Sequence, residues 1–100
     1  MIIVLGTVKL QVAKFDDALA LSHAHVQRSR SEPGCIAHAM HRDTEDGYCL
    51  VFVEKWADKT SLDAHFRVPE SQEFIRDITP MCAEAPVMEL YQAEDMSSSG

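Results

Sequence analysis

The segment that most constrains this chain is Tyr48-Cys49-Leu50-Val51-Phe52-Val53-Glu54-Lys55-Trp56. Its β-branched and aromatic residues read as a strand, the third in the chain. Apolar side chains occur on both parities, with Leu50, Phe52 and Trp56 on one and Val51 and Val53 on the other. A strand sends alternate residues to opposite faces, so both faces of the sheet that holds this one call for cover. The chain has 100 residues, one domain's worth. Its core is modest, and enclosing a sizeable ligand cavity would hollow it out. Helices can cover one face of the sheet. A second copy of the chain is the simplest cover for the other, which predicts a homodimer through sheet-to-sheet packing.

The remaining elements fall around that strand. Residues 2–12 read as a first strand, with Ile2, Val4, Val8, Leu10 and Val12 on one parity and Gly6 interrupting it where the strand can bend or a ligand approach. A helix follows, capped by Asp16 or Asp17, with Phe15, Leu19, Ser22 and Val26 on one face. Arg28 and Arg30 suit its end, and Glu32-Pro33-Gly34 stops it. Residues 35–42 are extended, with Ile36, His38 and Met40 on one face and Cys35, Ala37, Ala39 and His41 on the other. The polar loop Asp43–Gly47 joins this segment to the third strand as an antiparallel hairpin. Asp58 caps a short helix bearing Leu62 and Phe66 that Pro69 ends. A further helix runs from about Ser71, with Phe74, Ile75, Ile78 and Met81 as its apolar face and Pro80 breaking its last turn. Val87–Tyr91 is the closing strand. The order is β-α-β-β-α-β, which predicts an α+β ferredoxin-like domain: one four-stranded antiparallel sheet with helices on one face. The domain is expected over residues 1–95, with 96–100 as a flexible tail.

Composition narrows the function. With 9 Lys and Arg against 16 Asp and Glu, the formal charge is −7. A chain this acidic makes a poor binder of nucleic-acid backbone or anionic membrane. Its longest apolar run, Tyr48–Val53, is far short of the roughly 20 residues that a membrane helix needs. Met1–Leu5 lacks a preceding basic region and Lys9 follows soon after, so no secretory signal is read and a cytoplasmic location is expected. Cys35, Cys49 and Cys82 are odd in number and have no metal-type spacing, as expected of inert reduced thiols.

Four motifs carry a family resemblance. They are Glu32-Pro33-Gly34-Cys35-Ile36, His41-Arg42-Asp43, Phe52-Val53-Glu54-Lys55-Trp56 and Leu62-Asp63-Ala64-His65-Phe66. Each is short, but their order and spacing over roughly residues 1–95 resemble the antibiotic biosynthesis monooxygenase domain family. The resemblance implies a dimeric α+β barrel with a pocket between sheet and helices in each subunit. It also implies oxidation of small aromatic, quinol-type compounds with O₂, with no metal, flavin or haem as prosthetic group. The family looks similar as well to haem-degrading enzymes, to an isomerase of a small phosphorylated metabolite, and to members without a known reaction. Haem-degrading relatives pair their tryptophan and histidine with a first-strand asparagine. Here that stretch reads Leu5-Gly6-Thr7-Val8, which argues against haem.

On that resemblance the expected catalytic residues are His65, Trp56 and Glu54. His65 can take a phenolic proton near neutral pH, or it can be a histidine held by a structural hydrogen bond. Trp56 can stack on a flat substrate or belong to the core, and Glu54 can accept a proton or pair with a nearby cation. His38, on an apolar face, needs a polar partner, either a substrate oxygen or a neighbouring side chain. His38, Phe52, Met40 and Phe66 form the expected substrate-binding set. No metal site is expected: His23 and His25 do not face each other on a helix, and His38 and His41 lie on opposite faces of a strand. The leading expectation is thus a cofactor-independent monooxygenase. The alternatives are a dimeric ligand-binding or stress-response domain without turnover and an isomerase of a small metabolite.

Overall fold

The computed structural model describes residues 1–97, so the expected tail at 96–100 lies outside the described residues from 98 onward. The elements are β1 (Ile2–Lys9), α1 (Phe15–Ser29), β2 (Cys35–Arg42), β3 (Cys49–Trp56), α2 (Lys59–Arg67), α3 (Pro69–Ile78) and β4 (Val87–Gln92). The strands form one antiparallel sheet in the order β2-β3-β1-β4. This is the expected ferredoxin-like α+β fold, with the helices on one face. No helix among the described residues is long and apolar enough to cross a membrane.

Alternation sets the inner face. Ile2, Val4 and Val8 of β1 and Leu50, Phe52, Glu54 and Trp56 of β3 are buried beneath the helices. From α1, Phe15, Ala18 and Val26 join the larger apolar cluster, while Leu62 of α2 closes a smaller one around Trp56. Leu62 and Trp56 are wholly buried. Losing a side chain such as Trp56 to alanine costs about 3–5 kcal/mol in a core.

Several expected boundaries are corrected. β1 ends at Lys9 rather than at 12, because the chain turns into a single 3-10 turn at Val12–Lys14 that leaves Val12 exposed. Leu10 remains buried through an isolated bridge to Cys82. Neither Asp16 nor Asp17 caps α1: the helix begins at Phe15, and both aspartates sit in its first turn, where they suit the positive end of the dipole. Asp58 does cap α2, accepting the Ser61 N–H at 2.8 Å. Pro69 opens α3 as well as closing α2, since a first-turn proline has no intrahelical N–H bond to lose. In β2, Trp56 pairs with Cys35 and Lys55 with Ala37, so Ile36 is an extra, bulged residue. Ile36 is therefore exposed, and Cys35, not Ile36, joins His38 and Met40 on the inner side.

The connection from α1 to β2 is a type II turn. The Cys35 N–H returns to the Glu32 carbonyl at 3.2 Å, Pro33 holds the second position, and Gly34 takes φ +81° at the third. A Cβ on Gly34 would collide with both Cβ and Oγ of Ser61. Gly34→Ala thus combines left-handed strain with a clash and is expected to cost about 2 kcal/mol or more. The urea midpoint checks this, and a loss under about 0.5 kcal/mol would show that the turn relaxes freely.

Candidate active site

Strand register places the site. Across the inner face His38, Glu54, Val4 and Leu90 lie abreast, and the next row is Met40, Phe52, Gly6 and Met88. Gly6 contributes no side chain to that second row. A cavity of about 270 Å³ lies there, between the sheet (Gly6, Val8, Phe52, Met88) and the helices above it (Phe66, Phe74, Ile78). Its wall is mostly apolar. The ionisable side chains on it are His25 from α1, Glu54 from β3 and His65 from α2.

These groups belong to one buried network. Glu32, at the first position of the type II turn, accepts from His65 Nδ1 at 2.7 Å. The proton on Nδ1 leaves His65 Nε2 with its lone pair, 3.9 Å from Glu54 Oε1. The other Glu32 oxygen, Oε2, accepts from Arg28 Nη1 at 2.7 Å. Arg28 Nη2 also donates to His25 Nδ1 at 2.8 Å and to Ser71 Oγ at 3.3 Å. Glu54 Oε1 accepts the Trp56 indole N–H at 2.9 Å.

His38 stands apart. It is 2% exposed, and neither ring nitrogen finds a hydrogen-bond partner among the described residues, although Glu54 Oε1 lies 3.3 Å from Nε2. The His25 ring stacks on Phe74 with centroids 4.0 Å apart, and the His65 ring tilts over Trp56 at 4.5 Å.

Burial and neighbouring charges act on the protonation states. Desolvation, followed by the charges of His38, His65 and Arg28, lowers the His25 pKa from 6.5 to about 3, so this imidazole is neutral at ordinary pH. Burial alone would raise the Glu54 pKa. Contact with His38, the Trp56 N–H and the charge of His65 together outweigh burial and hold the carboxyl below its usual range. The three cysteines are free thiols whose pKa values burial pushes up. That suits inert groups.

Of the residues expected from sequence, His65, Glu54, Phe52 and Phe66 line the cavity. Three do not. Trp56 is wholly buried behind His65 and donates its indole N–H to Glu54. Met40 packs against the main apolar cluster, and His38 is shielded from the cavity behind Glu54 and the other two rings.

The expectation that the histidines do not gather is overturned. His25, His38 and His65 each offer a ring nitrogen, and these nitrogens all lie within 4.8 Å of one another. Sequence reading compared neighbouring pairs, whereas the triple comes from α1, β2 and α2. It also missed Glu32, Arg28 and Ser71. One signal was available for His25: it follows Ser22 by three residues, on the buried stripe of α1 that also holds Ala18 and Ser29.

Four antiparallel strands, helices on one face and a buried ionisable cluster beside a small-molecule-sized, partly open cavity define a ferredoxin-like α+β domain with a site between sheet and helices. The chain belongs to the antibiotic biosynthesis monooxygenase family, whose sequence model matches residues 1–77. An uncharacterized protein of Synechocystis is 32% identical over 91 residues, covering 91% of this chain, which spans only 62% of that relative's length. A crystal structure of an antibiotic biosynthesis monooxygenase is 25% identical, with TM-score 0.89, over 95% of this chain and all of the other. A Deinococcus radiodurans structure assigned by name to the same family superposes with TM-score 0.92 over the full length of both chains at 20% identity, a likeness of fold.

Proposed function

We propose that this chain is a monooxygenase that oxidises a small quinol-type aromatic compound with O₂, with His65 as the base. The observation that carries this reading is the hydrogen bond between His65 Nδ1 and Glu32. It leaves an oriented acceptor, Nε2, on an imidazole of the cavity wall. Nε2 takes the proton of a substrate hydroxyl, and the resulting anion passes an electron to O₂ far more readily than the neutral phenol does. The radical pair recombines to form a carbon–oxygen bond. Cleavage of the O–O bond then places one oxygen on the ring and releases the other as water. The apolar wall keeps bulk water from the anion, and the neutral His25 adds a polar group without a positive charge. Oxygen uptake with a panel of quinols tests the reading. Consumption of one O₂ per quinol supports it. Saturable binding without uptake identifies a ligand-binding domain instead, and product formation without O₂ identifies an isomerase.

The same proposal includes a homodimer in the cytoplasm. On the sheet face opposite the helices, Ile3, Leu5, Val51 and Val53 are half-buried and Tyr91 is exposed, a two-sided pattern that a second copy would cover. Light scattering at micromolar concentration is expected to give twice the 11.2 kDa chain mass, and a monomer would contradict the pairing.

A further inference from the structure

We infer that His25, His38 and His65 form a binding site for a zinc-class divalent transition-metal ion. The first ground is convergence. Three of the chain's five histidines arrive from three different elements, are all buried, and place one ring nitrogen each within 4.8 Å of the others. The second, independent ground is His38, a buried imidazole with both nitrogens unpartnered among the described residues. Two acceptors face it. Glu54 is acceptor-only when ionised, and Glu32 fixes the His65 proton on Nδ1, so that His65 Nε2 is also an acceptor. A cation bound there would take up the lone pairs of His38 and His65 Nε2.

The ligand chemistry fits this class of ion. Imidazole nitrogens suit zinc, copper, nickel and iron rather than magnesium or calcium. Glu54, 3.3 Å from His38 Nε2 and 3.9 Å from His65 Nε2, supplies balancing negative charge. The Glu32–His65 pair is the carboxylate–histidine support that fixes the tautomer of a metal-ligating ring. Zinc–nitrogen bonds of about 2.0–2.1 Å require the three nitrogens to draw closer than they stand here, a movement for side-chain rotation.

His25 is the ligand that must rearrange. Arg28 donates to its Nδ1, which puts the ring proton on Nε2. Coordination moves that proton to Nδ1 while Arg28 falls back on Glu32 and Ser71, partners it already holds. His25 and His65 both line the cavity, so the ion would keep a coordination position open to it. Occupancy also takes the His65 lone pair, so the metal-bound and base-competent states of the cluster exclude each other.

The test is metal uptake by the full chain after dialysis against a chelator. Titration with Co²⁺ is expected to saturate near one ion per chain, with the intense visible absorption of low-coordinate cobalt, and Zn²⁺ is expected to displace it. His38→Ala and His25→Ala should each weaken binding by about tenfold or more, while His23→Ala, on the exposed side of α1, should leave it unchanged. If His38→Ala loses its far-ultraviolet circular dichroism, His38→Gln carries the same comparison. Uptake below about a tenth of an equivalent would overturn the inference. So would undiminished uptake by the His25→Ala/His38→Ala double variant, or a thiolate-to-cobalt band that places the ion on the cysteines. These readouts do not depend on quinol turnover, so a failure here and a failure of the monooxygenase reading are separable.

Discussion

If the proposed mechanism holds, His65→Ala is expected to lower oxygen uptake with a quinol by about 100-fold, since a positioned base contributes on the order of 10²–10⁴ to such a step. The remainder would come from the cavity, which in the proposed mechanism still binds substrate and excludes water. A rate within threefold of wild type would remove His65 from the mechanism. Glu32→Gln separates the base from its support. Glu32 does not line the cavity, so the KM should hold while kcat falls by about 10- to 100-fold, the usual cost of losing such a partner. A purely structural role for Glu32 would lower stability and leave kcat of the folded enzyme in place.

The second large effect is acid lability through His25. Its pKa is 6.5 when unfolded and about 3 in the native state, where burial disfavours the charged ring. Between these values the unfolded chain binds a proton that the native chain does not, so stability falls as pH falls, by about 1.4 kcal/mol per pH unit. Above pH 6.5 the group contributes nothing. Between pH 6.5 and 5, wild type should therefore lose about 2 kcal/mol that His25→Phe, which keeps a ring beside Phe74, does not lose. Glu54 acts in a different window. Its native pKa is lowered, so its contribution is present above the ordinary value of 4.5 and is lost only as pH falls below it. Chemical denaturation of both proteins at pH 7, 5.5 and 4.5 separates the two groups. Parallel curves for wild type and His25→Phe would mean that His25 charges freely in the fold.

Where local chemistry decides structure, the fold was legible. Parity in β3, the Asp58 cap and the short polar loop between β2 and β3 each act over a few residues, and each stands as read. Where one residue shifts the phase, it was not: the bulge at Ile36 turns Cys35 inward, and nothing in Cys-Ile-Ala-His marks which residue is the extra one. The site divides in the same way. His65 and Glu54, legible because they sit in motifs, do line the cavity. Glu32 was read as a helix stop, yet its carboxylate meets His65 across 33 residues of chain. Trp56 was read as a possible pocket wall because a strand face shows only direction. Whether that direction ends at a cavity or at a helix depends on Leu62 and Phe66, which approach from another element.

β4 has a thermodynamic consequence. All six of its side chains are exposed, and ladder bonds to β1 alone tie it to the sheet, yet Val87 and Met88 complete the cavity wall. A segment held in this way opens at lower free energy than the strands beneath the helices. In the proposed dimer, partner contacts with Tyr91 and its neighbours would supply what the single chain lacks. Subunit association and ligand affinity then become linked equilibria, so the apparent Kd would rise on dilution as monomers accumulate with a loosened wall.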